Sequence, residues 1–243
     1  MSAPTLPKLL PRHLAILLMM TVATMFAANH VSARLAFDNG TGLLLAVLTR
    51  SGVACLILVA LVIVQRKRLW LPAGSWPWQL TVGLLIAVQS VSLYSAVARL
   101  PVVIALLLVN TFPIQLALWV TEHRLAGVGS TLRSLLTMQT VFIVMIIGGI
   151  AGVVPGGMSL PDNSAGWLGL SLLGLLYGSA FSTLFIFVPR LDMARNAPVM
   201  NIEPVASLVL GYFVLGQMLS PGQLVGGAVV VGGIVVLSLS KGR

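Results

Sequence analysis

Charge is scarce in this chain. Only 8 % of its 243 residues are Asp, Glu, Lys or Arg, and only 5 of those are acidic. A soluble domain carries about 25 % charged residues, so a water-facing surface cannot be built and a soluble enzyme is excluded. The chain also lacks the low hydrophobicity that marks disorder. Its one cysteine, Cys55, leaves no disulfide within the chain and excludes a secreted disulfide scaffold. Cys55 lies inside an apolar run and reads as a small core residue. There is no His-Glu-x-x-His, no Gly-x-Ser-x-Gly and no phosphate-binding glycine loop with lysine. With so few carboxylates, mostly in loops, neither a metal site nor a two-carboxylate active site is easily assembled. No enzyme and no cofactor is implied.

What the chain has is apolar length. Hydrophobic residues make up 58 % and mean hydropathy is +1.05. A β-barrel would alternate apolar and polar residues in segments of about 10. Here the apolar runs are unbroken and close to the ~20 residues a bilayer core demands of a helix. Eight runs stand out, at 14–35, 42–64, 77–97, 101–120, 134–154, 165–189, 197–216 and 221–238. Helix breakers fill the connectors, as in Asp38-Asn39-Gly40, Pro155-Gly156-Gly157 and Ser220-Pro221-Gly222. The expected fold is an all-α integral membrane protein, a polytopic bundle of about eight transmembrane helices in one domain spanning 1–243. The first run follows basic Lys8 and Arg12, like a signal peptide, but it continues to Leu35 and seven more follow, so we expect it to be retained.

A formal charge of +9 does not point to nucleic acid, because the 14 Lys and Arg sit between apolar runs rather than on one face. With the N-terminus in the cytoplasm, eleven of them fall inside, Arg34 and Arg99 fall outside, and Arg50 lies within a helix. The positive-inside rule therefore predicts both termini cytoplasmic and an even number of spans. The expected partners are the lipid bilayer and a small-molecule substrate.

Few polar groups interrupt the runs. Glu203 is the only acidic residue well inside one, and an intramembrane carboxylate is a functional candidate by default. It suits proton coupling or a bond to a substrate amine, or else it caps backbone freed by Pro204 or holds an arginine. It lies ~9 Å past the inner end of its run at 1.5 Å per residue. Arg50 is the only basic residue well inside a run, ~12 Å from the outer end of its helix. It can bind a substrate carboxylate, snorkel outward or close a helix contact. The two differ in depth, so a direct pair needs the full reach of the arginine or a water chain. Pro113 and Pro204 are mid-run prolines that remove an N–H and kink a helix, either for gating or for packing. Asn110 and Asn201 lie one turn or less before them. Asn29, with His30, sits in the outer third of the first run. Gln89, Tyr94, Gln139 and Tyr177 line a cavity or make interhelical hydrogen bonds. Trp76, Trp78 and Trp167 stand at run ends, as interfacial belt residues do. Gly174-x-x-x-Gly178 and Gly222-x-x-x-Gly226 are small-residue seams for helix contact, within the chain or in a homodimer.

The chain repeats itself weakly. Asn110-Thr111-Phe112-Pro113 echoes Asn201-Ile202-Glu203-Pro204, and Arg50-Ser51 echoes Arg133-Ser134, four runs apart. The stretch Asn201-Ile202-Glu203-Pro204, then Leu210 through Gln217, Ser220-Pro221 and Gly226-Gly227, resembles the last helix pair of EamA-type transporters in the drug/metabolite transporter superfamily. Asn29, Arg34, Arg50 and Leu100-Pro101 through Pro113 resemble the family's first half. The resemblance implies a carrier of a small metabolite, such as an amino acid or related compound, in a bacterial inner membrane, working by alternating access. It divides the domain into halves at about 12–120 and 121–240. Such transporters have ten helices in two inverted five-helix repeats, and here two are missing. Gln217 stands where the family has Glu. The stretch Trp119 to Gly127 resembles the end of the family's sixth helix more than its fourth. An in-frame loss fusing those two helices explains this, and predicts one continuous helix from about Pro101 to Leu125, kinked at Pro113. The same residues also allow a transport-inactive remnant or a helical membrane scaffold that pairs through its glycine seams.

Overall fold

A computed structural model describes residues 9–66, 70–102, 104–105, 120–121, 123–125, 127–187, 190–191, 196–218 and 220–239. Apolar runs bounded by breakers become helices, because a backbone in lipid must satisfy its own hydrogen bonds. Seven α-helices are described: α1 (Arg12–Asp38), α2 (Leu43–Gln65), α3 (Trp76–Val97), α4 (Ser130–Ile150), α5 (Ser164–Phe187), α6 (Ile202–Leu215) and α7 (Pro221–Leu239). A 3-10 helix, Ala197–Asn201, leads into α6. Six segments are long and apolar enough to span a membrane: α1 to α4, Ser164–Leu184 and Pro198–Leu215. The described residues form an all-helical polytopic bundle, as expected. Of the fourth run, the N–H groups of Ile104 and Ala105 bond to the Pro101 carbonyl, a first helical turn. Residues 106–119 of that run, with Asn110 and Pro113, lie outside the described residues, and so does most of the expected fused helix.

Helix α1 is central. It packs along α5 and α6, while α2 lies against α5 and α4, and α3 lies against α4. Lipid is as apolar as leucine, so small residues and polar ties hold such contacts. Gly169 brings α5 onto α1: a Cβ there would stand 2.8 Å from both the Ser32 carbonyl oxygen and the Ala36 nitrogen. Gly174 and Gly178 continue the seam against Thr49, Val53, Ala54 and Ile57 of α2. Leu56, Ile63, Val88, Ile147, Leu175 and Phe213 point outward, exposed. That apolar surface suits lipid rather than water. Trp76 and Trp167 are exposed at helix starts, as belt residues are.

One end of the bundle is tied by loops. The Asn39 carbonyl accepts from the Asp162 N–H, its side-chain Oδ1 accepts from Asn163 Nδ2 at 2.7 Å, and the Gly42 N–H donates to the Ser159 carbonyl. Gly40 takes φ +86° against the Asp162 side chain, a turn that glycine alone makes without strain. Helix α6 ends in a left-handed Gly216, with the Gln217 N–H returning to the Gly211 carbonyl. The backbone of Gln217 closes this cap.

Candidate functional site

The polar groups inside the bundle converge. Arg50 on α2 is only 3 % exposed. It donates from Nη1 to the Tyr94 hydroxyl at 3.0 Å and from Nη2 to the Ser90 hydroxyl at 2.9 Å. Ser90 and Tyr94 are one turn apart, and so share a face of α3. The guanidinium lies 3.9 Å over the ring of Tyr177 on α5 and 4.9 Å from that of Tyr94. Contacts of this kind contribute about 2 kcal/mol or more when desolvated. Phe181 stacks on Tyr177, and the Phe26 ring is tilted against it at 5.9 Å.

From Tyr94 the contacts continue along α1. The Tyr94 hydroxyl donates to Asn29 Oδ1 at 3.4 Å, and Asn29 Nδ2 lies 3.4 Å from His30 Nδ1. His30 Nε2 lies 3.3 Å from Glu203 Oε1 on α6. If Asn29 donates to Nδ1, the imidazole carries its proton on Nε2 and donates it to the carboxylate. Every donor then points the same way, from the arginine through a phenol, an amide and an imidazole to the glutamate. Four helices, α1, α2, α3 and α6, meet in this one line, and Tyr177 of α5 stacks on its arginine. Glu203 retains 19 % side-chain exposure, so its end of the line is the more open.

The expected stagger between Arg50 and Glu203 is thus bridged by side chains. The 3-10 helix before α6 rises ~2.0 Å per residue rather than 1.5 Å, which carries Glu203 deeper than a uniform helix would. Pro204 stands in the first turn of α6, where a missing N–H breaks no helical bond. The irregularity at this proline is the change from 3-10 to α. Asn201 ends the 3-10 helix with its side chain exposed, apart from the line. Gln89 is half-buried on α3, and no hydrogen bond joins it to the line among the described residues. Gln139 is exposed on α4.

Two members were not singled out from sequence. Ser90 carries a weak signal, a hydroxyl four residues before an intramembrane tyrosine. Phe37 carries none: its ring stands edge-on to Tyr94 at 5.9 Å, and it also lines a recess of about 250 Å³ at the end of the bundle bearing Asn39. Thr41, Ser95 and Arg99 bring polar groups to that recess. Thr41 Oγ1 is buried there without a partner among the described residues.

The chain matches one known family over its second part. Residues 126–239 match the EamA-like transporter family. That family consists of membrane transporters, not enzymes. The EamA-like segment supplies Tyr177 and Glu203, while Asn29, His30, Arg50, Ser90 and Tyr94 precede it. The line of polar contacts therefore joins the EamA-like segment to the helices before it. No solved structure matches the chain.

Proposed function

We propose that the chain is a carrier of the drug/metabolite transporter superfamily. It moves a small metabolite, such as an amino acid or related compound, across a bacterial inner membrane by alternating access. The observation that carries this reading is the line from Arg50 through Tyr94, Asn29 and His30 to Glu203. Polar and ionisable groups at membrane depth are costly, and a connected set of them marks a transport pathway. Four helices share these groups, so a substrate that replaces their mutual contacts biases how the helices pack. With both termini cytoplasmic, the recess over Phe37 faces outward, and Phe37 is the layer between it and Tyr94. Pro204 and its 3-10 turn, together with Pro113, give the deformable segments. Asn110, Asn201 and Gln89 serve the cavity in other states of the cycle. The match over residues 126–239 supports the division into two halves near residue 121.

The test is flux of radiolabelled amino acids and related metabolites in proteoliposomes. Protein-dependent, saturable flux is expected. A folded chain that moves none of them is a remnant. One observation favours a pairing scaffold as the second reading: on α7, a Cβ at Gly222 or Gly226 would meet nothing within 4 Å among the described residues.

A further inference from the structure

Arg50 is a permanent charge in an apolar interior. Its guanidinium cannot shed the proton, and a buried cation without a counter-charge is strongly disfavoured. Yet its hydrogen-bond partners are neutral. Two of its nitrogens meet the hydroxyls of Ser90 and Tyr94, and Nε has no partner among the described residues. Glu203 lies against His30 and Asp38 against Arg34, and neither of these contacts includes Arg50. Glu203 is held by His30, with Tyr94 and Asn29 also standing between it and the guanidinium. The rings of Tyr177 and Tyr94 fix the plane of the group, and α3 fixes two of its donors. What is left is an oriented guanidinium edge with an unused N–H, the geometry that a planar two-oxygen anion accepts.

We propose that Arg50 is the seat of a carboxylate on the transported compound. The proposal rests on the carrier reading and deepens it: the substrate class is a small organic carboxylate. The anion supplies the missing counter-charge, bonding to Nε and one Nη, with the Tyr94 and Ser90 hydroxyls beside it. The approach fits this chemistry. Arg99 places a second guanidinium at the recess beyond Phe37, where its Nη1 bonds the Ser95 carbonyl at 3.3 Å and its side chain remains exposed. A cation at the mouth raises the local concentration of anions, and Phe37 separates that mouth from the Arg50–Tyr94 pair.

The test is thermal unfolding of the full chain in detergent, followed by tryptophan fluorescence. Sodium propionate, sodium benzoate and L-leucine are compared with propionamide and benzamide, with sodium chloride matching ionic strength. At least one carboxylate is expected to raise the midpoint by several degrees at millimolar concentration, and the amides are expected to have no effect. Arg50→Gln should remove the shift, and Arg50→Lys should weaken apparent affinity at least tenfold. Equal stabilisation by amides, no shift with any carboxylate, or a full shift in Arg50→Gln overturns the proposal. If neither variant folds, the comparison of carboxylate with amide on the unaltered chain decides. Carboxylate binding without flux in proteoliposomes keeps the seat and removes the carrier. Flux of neutral compounds without carboxylate binding does the reverse.

Discussion

Glu203 and Tyr94 do different work in the same line of contacts. In the Glu203→Gln variant the amide keeps the shape and most hydrogen bonds but cannot hold charge or release a proton. Flux should fall to background while the protein still purifies as a folded species. Unchanged, pH-dependent flux in that variant would assign Glu203 to structure. Tyr94→Phe keeps the ring that packs on Phe37 and Arg50 but deletes the hydroxyl between Arg50 and Asn29. Leaving buried polar groups short of a partner costs about 1–3 kcal/mol, so the unfolding midpoint in detergent should drop. An unchanged midpoint would show that the line carries no binding energy of its own. Glu203, Arg50, Tyr94, Tyr177 and Asn29 were legible in the sequence because polar groups are conspicuous in apolar runs. Their connection was not, because it depends on helix rotation and depth, which periodicity in a uniformly apolar run does not encode. Ser90 was hidden for a related reason: a serine can satisfy itself on its own helix, as Ser90 also does by donating to the Ile86 carbonyl at 2.7 Å.

Helices pack here where side chains are missing. At Gly169 a Cβ would press on backbone atoms of α1, which cannot swing aside, whereas at Gly178 its nearest neighbour is the flexible tip of Ile57. Gly169→Val should therefore cost about 1–3 kcal/mol by overpacking, and Gly178→Ala should cost less, as read from unfolding midpoints. Equal losses at both sites would contradict the close approach of α1 and α5. Gly226→Leu should leave the midpoint unchanged, since a Cβ there meets nothing within 4 Å among the described residues. If it instead dissolves a dimer seen by size-exclusion chromatography with light scattering, the pairing scaffold gains support. The runs located the helices well because a bilayer admits few alternatives. The break between Asn201 and Ile202 is not visible in the sequence, because Pro204 fits a kink within a continuous helix and a first turn equally well. The glycine seam at Gly174 and Gly178 was legible, but its partner α2 was not, since Gly-x-x-x-Gly says nothing about what approaches it.

Across the whole molecule, charge distribution predicts the orientation. With both termini in the cytoplasm, eleven Lys and Arg fall on that side and two on the other, and this is the arrangement we propose from the positive-inside rule. Alkaline phosphatase fused after Arg243 should be inactive, and high periplasmic activity would refute an even number of spans. Architecture was legible because composition leaves little choice, and the likeness to EamA-type transporters was legible in the motif around Glu203 and Pro204. The assembly of the site from both parts of the chain was not, because it depends on contacts such as His30 to Glu203 between residues far apart in sequence. The central claim is that this assembled line serves transport. It is tested most directly by flux of radiolabelled small carboxylates in proteoliposomes, comparing the unaltered chain with Glu203→Gln at equal amounts of folded protein. Saturable flux is expected in the first and background flux in the second. Background flux in both, from protein that unfolds cooperatively and reconstitutes fully, would contradict it.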